Sequence, residues 1–388
     1  METIAEELKD LKGRGLFRRL KVSEGPAEAS LVVDGQKVIN LSSNNYLGLS
    51  LHPELIQAAQ EALKEYGCGP ASSPLLSGHS ELHERLEARL ARFQGTEAAL
   101  VFNSGYVANL GVISSLMGEG DIIFSDQWNH ASIIDGCRLS KAGVQVYPHK
   151  DLEALDEMLK GAGRFRRRLM VTESVFSMDG DLAPLQGIVR LAEQHDAWLM
   201  IDEAHAFGVL GKGGRGLAQR EGVDHRVQIR MGTFGKAVGS FGAYIVGKRE
   251  LINYLINRCR PFIYSTALPA HLCAVALKAL DLIEAGDERR ERLWKNAALF
   301  REGLKSLGFN TMESETQIVP VVLGDARITA QAGEALLREG FFAPAIRPPT
   351  VPVNGCRIRC SVTAAHAEDE LERALAAFSK VGKNLGLL

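Results

Sequence analysis

Short apolar runs alternate with stretches of helical periodicity along most of this chain, and that alternation admits few folds. The runs lie at Ala98–Phe102, 121–125, 169–175, Trp198–Asp202 and 229–232, with helix-like stretches such as Leu185–Gln194 between several of them. Spacings of roughly 25–30 residues are what parallel strands joined by crossover helices require. The expectation is an α/β protein with a mostly parallel sheet. Upstream, residues 52–66 open with Pro53 and place Leu55, Ile56, Ala59 and Leu63 on one face before Gly67, which predicts a helix. Residues 80–93 repeat the logic, with Ser80 as N-cap, a Leu82, Leu86, Leu90 and Phe93 stripe, and Gly95 beyond the end. After about residue 280 the character changes. A charged amphipathic segment at 287–307 is followed by shorter elements at 317–323, 328–339, 357–363 and 368–381. The predicted division is an N-terminal segment 1–46, a large domain 47–280 and a smaller α+β domain 281–388.

A hydrophobic fraction of 46% over 388 residues is enough to bury a sizeable core. With 45 basic against 47 acidic residues there is no long-range positive field to gather nucleic acid or anionic lipid. The opening METIAEELKDLKGRG is charged and amphipathic, without the apolar core of a signal peptide, and nowhere do ~18 apolar residues run together. Six cysteines contain no Cys-x-x-Cys pair and no matching histidine pair, so neither a metal site nor a redox motif is expected. Cys356 and Cys360 read as neighbouring buried thiols. A cytoplasmic protein that neither crosses a membrane nor binds nucleic acid is the expectation.

In open parallel sheets, ligands bind beyond the carboxyl ends of the strands. Nearly every run here ends in polar residues. Ala98–Phe102 leads into Asn103, Ser104, Gly105 and Tyr106 and then a helical stretch, which would aim backbone N–H groups at an anion. Glu173 and Ser177 close the run at 169, Asp202, Glu203, Ala204 and His205 the run at 198, and Gly232-Thr233-Phe234-Gly235-Lys236 the run at 229. His130 follows the run at 121–125. One lysine, one strand-borne carboxylate, two histidines, several hydroxyls and a glycine-lined anion site are what an aldehyde cofactor carrying a phosphate needs. Lysine forms the imine, while a carboxylate such as Asp202 keeps a pyridine nitrogen protonated. A lone lysine is usually a solvated surface group. One wedged in GTFGKAVGSFG, where small residues permit close backbone approach, is not typical of the surface. Residues 211–216 match G-x-G-x-x-G, but they do not sit between a strand and a helix, and an acid for a ribose is missing about 20 residues on. The run Arg164-Phe165-Arg166-Arg167-Arg168 reads as a solvated approach to a strand.

The segments LSSNNYLGL at Leu41, SGY at Ser104, NHASIIDG at Asn129, ESVFSMDGD at Glu173, IDEAH at Ile201, GTFGKA at Gly232 and YST at Tyr264 resemble the α-oxoamine synthases. These are fold-type-I pyridoxal-phosphate (PLP) enzymes, and the likeness runs along nearly the whole chain. It implies a mostly parallel seven-stranded sheet flanked by helices and PLP as cofactor, with Lys236, His130 and Asp202 as the catalytic set. Lys236 would be the Schiff-base lysine, Asp202 the pyridinium partner and His205 the partner of the ring phenolate. His130 would stack on the ring beside the substrate. Ser104, Gly105, Tyr106, Glu173, Ser177 and Thr233 would complete the cofactor site, with Ser265 and Thr266 reaching the phosphate from a second subunit of an obligate homodimer. Asn44 and Arg359 would bind the amino acid, Arg18 would meet the acyl substrate, and Thr350 would line its route. Pro74 and Ala206 depart from the family pattern at positions that touch specificity. AIRPPTVP at Ala345 and RIRCSVTAAH near the end resemble the members of biotin biosynthesis. They imply decarboxylative condensation of L-alanine with pimeloyl-CoA or pimeloyl acyl carrier protein. NHASIIDGCRLSKA and KVGKNLGLL resemble members that use glycine and acetyl-CoA.

Overall fold

The structure is a computed structural model that describes residues 2–26 and 28–388. The chain forms two compact units: a larger one of Leu49–Phe176 and Leu182–Asp287, and a smaller one of Met1–Gly48, Ser177–Asp181 and Glu288–Leu388.

The larger unit is built on seven strands, β1 Ala98–Phe102, β2 Ile122–Asp126, β3 Gly143–Tyr147, β4 Arg168–Glu173, β5 Trp198–Asp202, β6 Ile229–Thr233 and β7 Ala243–Gly247, in the order β1-β7-β6-β5-β4-β2-β3. Neighbours from β6 through β3 pair in parallel, while β7 runs antiparallel to both β6 and β1. Helices Gly105–Leu116, Ala131–Ser140, Leu152–Lys160 and Leu185–Gln194 make the crossovers between β1 and β5. Strands β1, β2 and β7 are buried at every residue, consistent with a sheet covered on both faces.

Five strands fall on the predicted runs, β1 and β5 without a shift and the others within a residue or two at each end. The other two, β3 and β7, have instructive causes. β3 is an edge strand with four of its five residues exposed, so it lacks a buried run. β7 follows β6 after only nine residues, because an antiparallel neighbour needs no crossover helix. Residues 211–216 form a 3₁₀ turn, Lys212–Gly214, rather than a strand-to-helix phosphate loop. The arginine run leads into β4 with Arg164 and Arg166 exposed, as a solvated approach to a strand would be, and three of its members also make specific contacts. Arg166 ion-pairs the buried Asp121 at 2.8 Å, Arg167 donates to Leu116 O at 2.8 Å and Arg168 binds Asp196 at 2.9 Å.

The smaller unit holds a three-stranded antiparallel sheet of Ile318–Gly324, Cys356–Ser361 and Ala345–Ile346, with Cys356–Ser361 beside both others. Helices Asp287–Ser306, Ala326–Arg338 and Glu368–Asn384 belong to the same unit, whose core includes Phe300, Val319, Leu336, Ile358, Leu371 and Phe378. Cys356 and Cys360 are buried free thiols on one strand.

Candidate active site

In the larger unit, Lys236 sits in the nine-residue connection from β6 to the reversed β7. That connection is tied by Phe234 N to Gly242 O at 2.8 Å, Ser240 N to Phe234 O at 2.9 Å and Gly239 N to Lys236 O at 3.0 Å. Gly242 has φ +107°, and a Cβ there would sit 3.0 Å from Phe102 O, so a side chain would strain the turn that presents the lysine. The Lys236 amine lies 2.8 Å from His205 Nε2, and Thr233 Oγ1 at the base of the same loop donates to Gly242 O at 2.9 Å.

Asp202 ends β5 in register with Glu173 at the end of β4, which places the two buried carboxyls on adjacent strands. Asp202 accepts from Ala204 N and from Asn109 Nδ2, each at 2.8 Å. The same Asn109 amide donates to Ser132 Oγ at 2.9 Å, and Ser132 Oγ lies 2.8 Å from His130 Nδ1. Ser132 N also donates to that nitrogen, at 3.2 Å, so Nδ1 is an acceptor and the neutral ring carries its proton on Nε2. Burial and the charge of Lys236 lower the His130 pKa, partly offset by Asp202, which favours this neutral ring.

Asn129 holds the same corner together. Its Nδ2 donates to Ser125 Oγ at 2.9 Å and Val171 O at 2.8 Å, and its Oδ1 accepts from Glu173 N at 3.1 Å. Asn109, Ser132 and Asn129 were not among the expected site residues. For Asn109 a signal was present, since it stands among Val107, Ala108, Leu110 and Val112 on a helix, and a buried amide needs partners.

Burial, then the charge of Asp202, pushes the Glu173 carboxyl well above its ordinary value, against the pull of Lys236. Its Oε1 is buried without a partner. A raised native pKa means that the folded protein binds this proton more tightly than the unfolded chain does. The resulting stabilisation is fully present below the ordinary glutamate value of 4.5 and is lost as pH rises through the native value. Glu173→Gln, which cannot ionise, is therefore expected to gain stability relative to the unsubstituted protein as pH is raised above that range. Denaturant melts over a pH series check this, and a pH-independent difference would count against a neutral Glu173.

Ser104 caps helix Gly105–Leu116, its Oγ accepting from Val107 N at 3.3 Å, so Gly105 and Tyr106 occupy the first turn, whose N–H groups lack intrahelical partners. The Tyr106 hydroxyl bonds Asp135, and its ring packs edge-on to His130 at 6.3 Å. Ser265 and Thr266 lie beyond helix Arg260–Ile263, on a loop where Asn103 Nδ2 donates to Thr266 O at 3.3 Å.

The smaller unit contains the other expected residues. Arg359, buried on Cys356–Ser361, donates through Nε to Ser177 O at 2.5 Å, through Nη1 to Ser361 Oγ at 2.8 Å and through both terminal nitrogens to Asn44 Oδ1 at 3.3 Å. Among the described residues no carboxylate ion-pairs it. A buried guanidinium met only by neutral acceptors is a ready site for a carboxylate ligand. Arg18 donates to Pro348 O at 2.7 Å and Arg347 O at 3.1 Å, and the exposed Thr350 is tied by its N–H to Arg347 O at 3.2 Å.

The sequence matches the family described as aminotransferase class I and II over residues 36–378. This chain belongs to that family. Within it, an 8-amino-7-oxononanoate synthase of Geobacter sulfurreducens is 52% identical, with 100% of this chain and 99% of the relative covered. A serine palmitoyltransferase of S. paucimobilis, solved with bound PLP–myriocin aldimine, superposes with a TM-score of 0.95 at 34% identity, covering 100% of this chain and 98% of that one. An 8-amino-7-oxononanoate synthase of Francisella tularensis aligns with a TM-score of 0.79 at 30% identity, covering 89% of this chain and 98% of that one. The fold is therefore that of the fold-type-I PLP transferases, and the cofactor is PLP. The larger unit suits that group. It offers an amine in a tight loop, a buried carboxylate, a helix N-terminus for a phosphate, and buried Glu173 Oε1 and Asn109 Oδ1 without partners.

Proposed function

We propose that the chain joins L-alanine to a pimeloyl thioester with release of carbon dioxide and free thiol, the reaction of the 8-amino-7-oxononanoate synthases in biotin biosynthesis. The observation that carries the chemistry is the Lys236 amine 2.8 Å from His205, in the unit where the buried Asp202 carboxylate is held by Asn109. The choice of substrates is supported by identity of 50% or more, over nearly the full length, to relatives bearing that name. When bound, PLP supplies an electron sink for negative charge at the substrate's α-carbon.

Lys236 anchors the cofactor and, as a free amine during turnover, takes the proton from the α-carbon of alanine. His205, within hydrogen-bond reach of Nζ, steers that amine and would bond the ring oxygen. Asp202, fixed by two donors, would keep the ring nitrogen protonated. His130 would stack on the ring. Ser104, Gly105, Tyr106, Ser177 and Thr233 would hold the cofactor, and the first turn of helix Gly105–Leu116 would take its phosphate. Arg359 grips the alanine carboxylate, with Asn44 orienting the guanidinium, so that the bond to the departing carbon dioxide is held for cleavage. Arg18 and Thr350 serve the acyl donor.

We read the protein as a homodimer in which Ser265 and Thr266 reach the phosphate in the other subunit. Large exposed apolar side chains on the larger unit, Leu75, Leu76, Phe241 and Tyr264, support such an interface. A cytoplasmic setting is supported by six free cysteines.

The test is thiol release by the purified holoenzyme. L-alanine with pimeloyl-CoA is expected to liberate free CoA with a higher kcat/KM than glycine with acetyl-CoA. Transamination without thiol release, or a preference for the second pair, would overturn the reading.

A further inference from the structure

The carboxyl ends of three adjacent parallel strands, β4, β2 and β3, carry a group of rings that the proposed mechanism does not use. Trp128 follows β2, His149 follows the edge strand β3 and Phe176 follows β4. The His149 imidazole stacks on the Trp128 indole with ring centroids 3.8 Å apart and planes 18° from parallel, and it meets the Phe176 ring edge-on at 4.3 Å. His149 Nδ1 lies 2.9 Å from Asp126 Oδ1. Asp126 ends β2 with its side chain 1% exposed, and it also accepts from Trp128 N at 2.9 Å and Lys150 N at 3.1 Å. A carboxylate that collects N–H groups accepts from the imidazole too, so Nδ1 carries the ring proton.

These contacts bear on a short turn. Asp126 O accepts from Asn129 N at 3.2 Å, and the Asn129 amide is tied to Ser125 on β2 and to Val171 and Glu173 on β4. His130 is the next residue. One side of the turn 126–130 is thus pinned to the strands by Asn129, while His149 holds the other, through Asp126 at its root and Trp128 in its middle. Lys150, directly after His149, has φ +60°, a left-handed conformation that persists in a residue with a side chain only where surrounding contacts hold it. Its N–H is held by Asp126. An edge strand with four of five residues exposed needs no such ending for its own packing. The strain is explained by where it puts the imidazole.

We infer that His149 is a positioning residue for the cofactor site, fixing the turn 126–130 so that the His130 ring lies flat on PLP. This rests on the stacking role proposed for His130 and gives it a physical support. A ring carried by a turn can swing, and a stacking contact is productive only when its direction is set before the partner arrives.

A double-mutant cycle tests this, with His149→Ala and His130→Ala made singly and together in the purified protein. PLP affinity is read by titrating the apoprotein, and the visible circular dichroism of the bound cofactor reports the groups packed against its ring. His149→Ala is expected to lower PLP affinity about tenfold, through loss of one hydrogen bond and one ring stack, and to alter the dichroic band. In the His130→Ala background the same substitution is expected to do neither, because a residue that acts through another then has nothing to act on. In the single variant kcat falls while KM for L-alanine holds. His149→Asn returns a donor near the Nδ1 position and is expected to recover part of the affinity, and it serves as the test should the alanine variant fold poorly. Equal losses of affinity in both backgrounds, or a lower apoprotein Tm with PLP affinity unchanged, would overturn the inference. A His130→Ala variant that binds PLP as tightly as the unsubstituted protein would instead sink the stacking of His130, and the inference with it. Cofactor binding decides the cycle, so its outcome does not depend on which acyl donor the enzyme uses.

Discussion

Lys236→Ala is expected to fold and keep its thermal transition, to lose turnover by on the order of 10⁴-fold or more, and to lack the visible absorbance of a cofactor joined to lysine. The side chain stands in a loop whose shape comes from backbone hydrogen bonds and from Gly239 and Gly242, not from the amine, so its removal should leave the β6 to β7 connection intact. What disappears is the one amine that sits 2.8 Å from His205. Added methylamine is expected to restore part of the proton transfer. Borohydride reduction of the unsubstituted holoenzyme followed by peptide mapping checks the attachment point, and a label on a peptide without Lys236 would refute it. His205→Gln, by contrast, should retain attachment and lose activity more modestly, because it acts through the position of Nζ.

The second large effect is expected at Asp202. Asp202→Asn keeps the size of the side chain but removes its charge. The amide can still accept from Ala204 N, while the contact with Asn109 Nδ2 is weakened or forces a flip. The expected result is a fall in kcat on the order of 10³-fold with a small change in KM, because a fixed charge opposite the ring nitrogen matters most when negative charge develops on the substrate. Asn109→Ala separates charge from placement. It leaves the carboxylate charged but removes the donor that aligns it and breaks the link through Ser132 to His130, so a loss of about tenfold is expected. A pH titration of the cofactor spectrum in the three proteins distinguishes the cases. Only Asp202→Asn should shift the titration of the ring nitrogen strongly, and equal spectra in all three would remove Asp202 from the role assigned to it.

Much of the fold was legible because the responsible forces are local. Buried parallel strands demand unbroken apolar runs, and the runs at Ala98–Phe102 and Trp198–Asp202 coincide with β1 and β5. Crossover helices demand an apolar stripe, and Leu185–Gln194 was bounded without error. β3 escaped because an edge strand need not be apolar, and β7 because spacing rules for crossovers say nothing about a hairpin-like return. At the site, Asp202 and His205 could be paired by their three-residue spacing after a strand. The chain Asp202, Asn109, Ser132, His130 could not, since its first link spans 93 residues and depends on which helix face meets which strand end. The same holds for the arginine run, whose members find Asp121, Leu116 O and Asp196 only once the chain is folded.

By itself the sequence determined the α/β class, the lysine-bearing loop and the motifs that identify a PLP enzyme, because periodicity, glycine placement and short motifs act within a few residues. Only the tertiary structure decided which polar groups meet away from water: in the larger unit Glu173 beside Asp202 and the neutral ring of His130, and in the smaller unit Arg359 surrounded by uncharged oxygens. Electrostatic character follows from distance and burial in three dimensions, and neither is a property of neighbours in the chain.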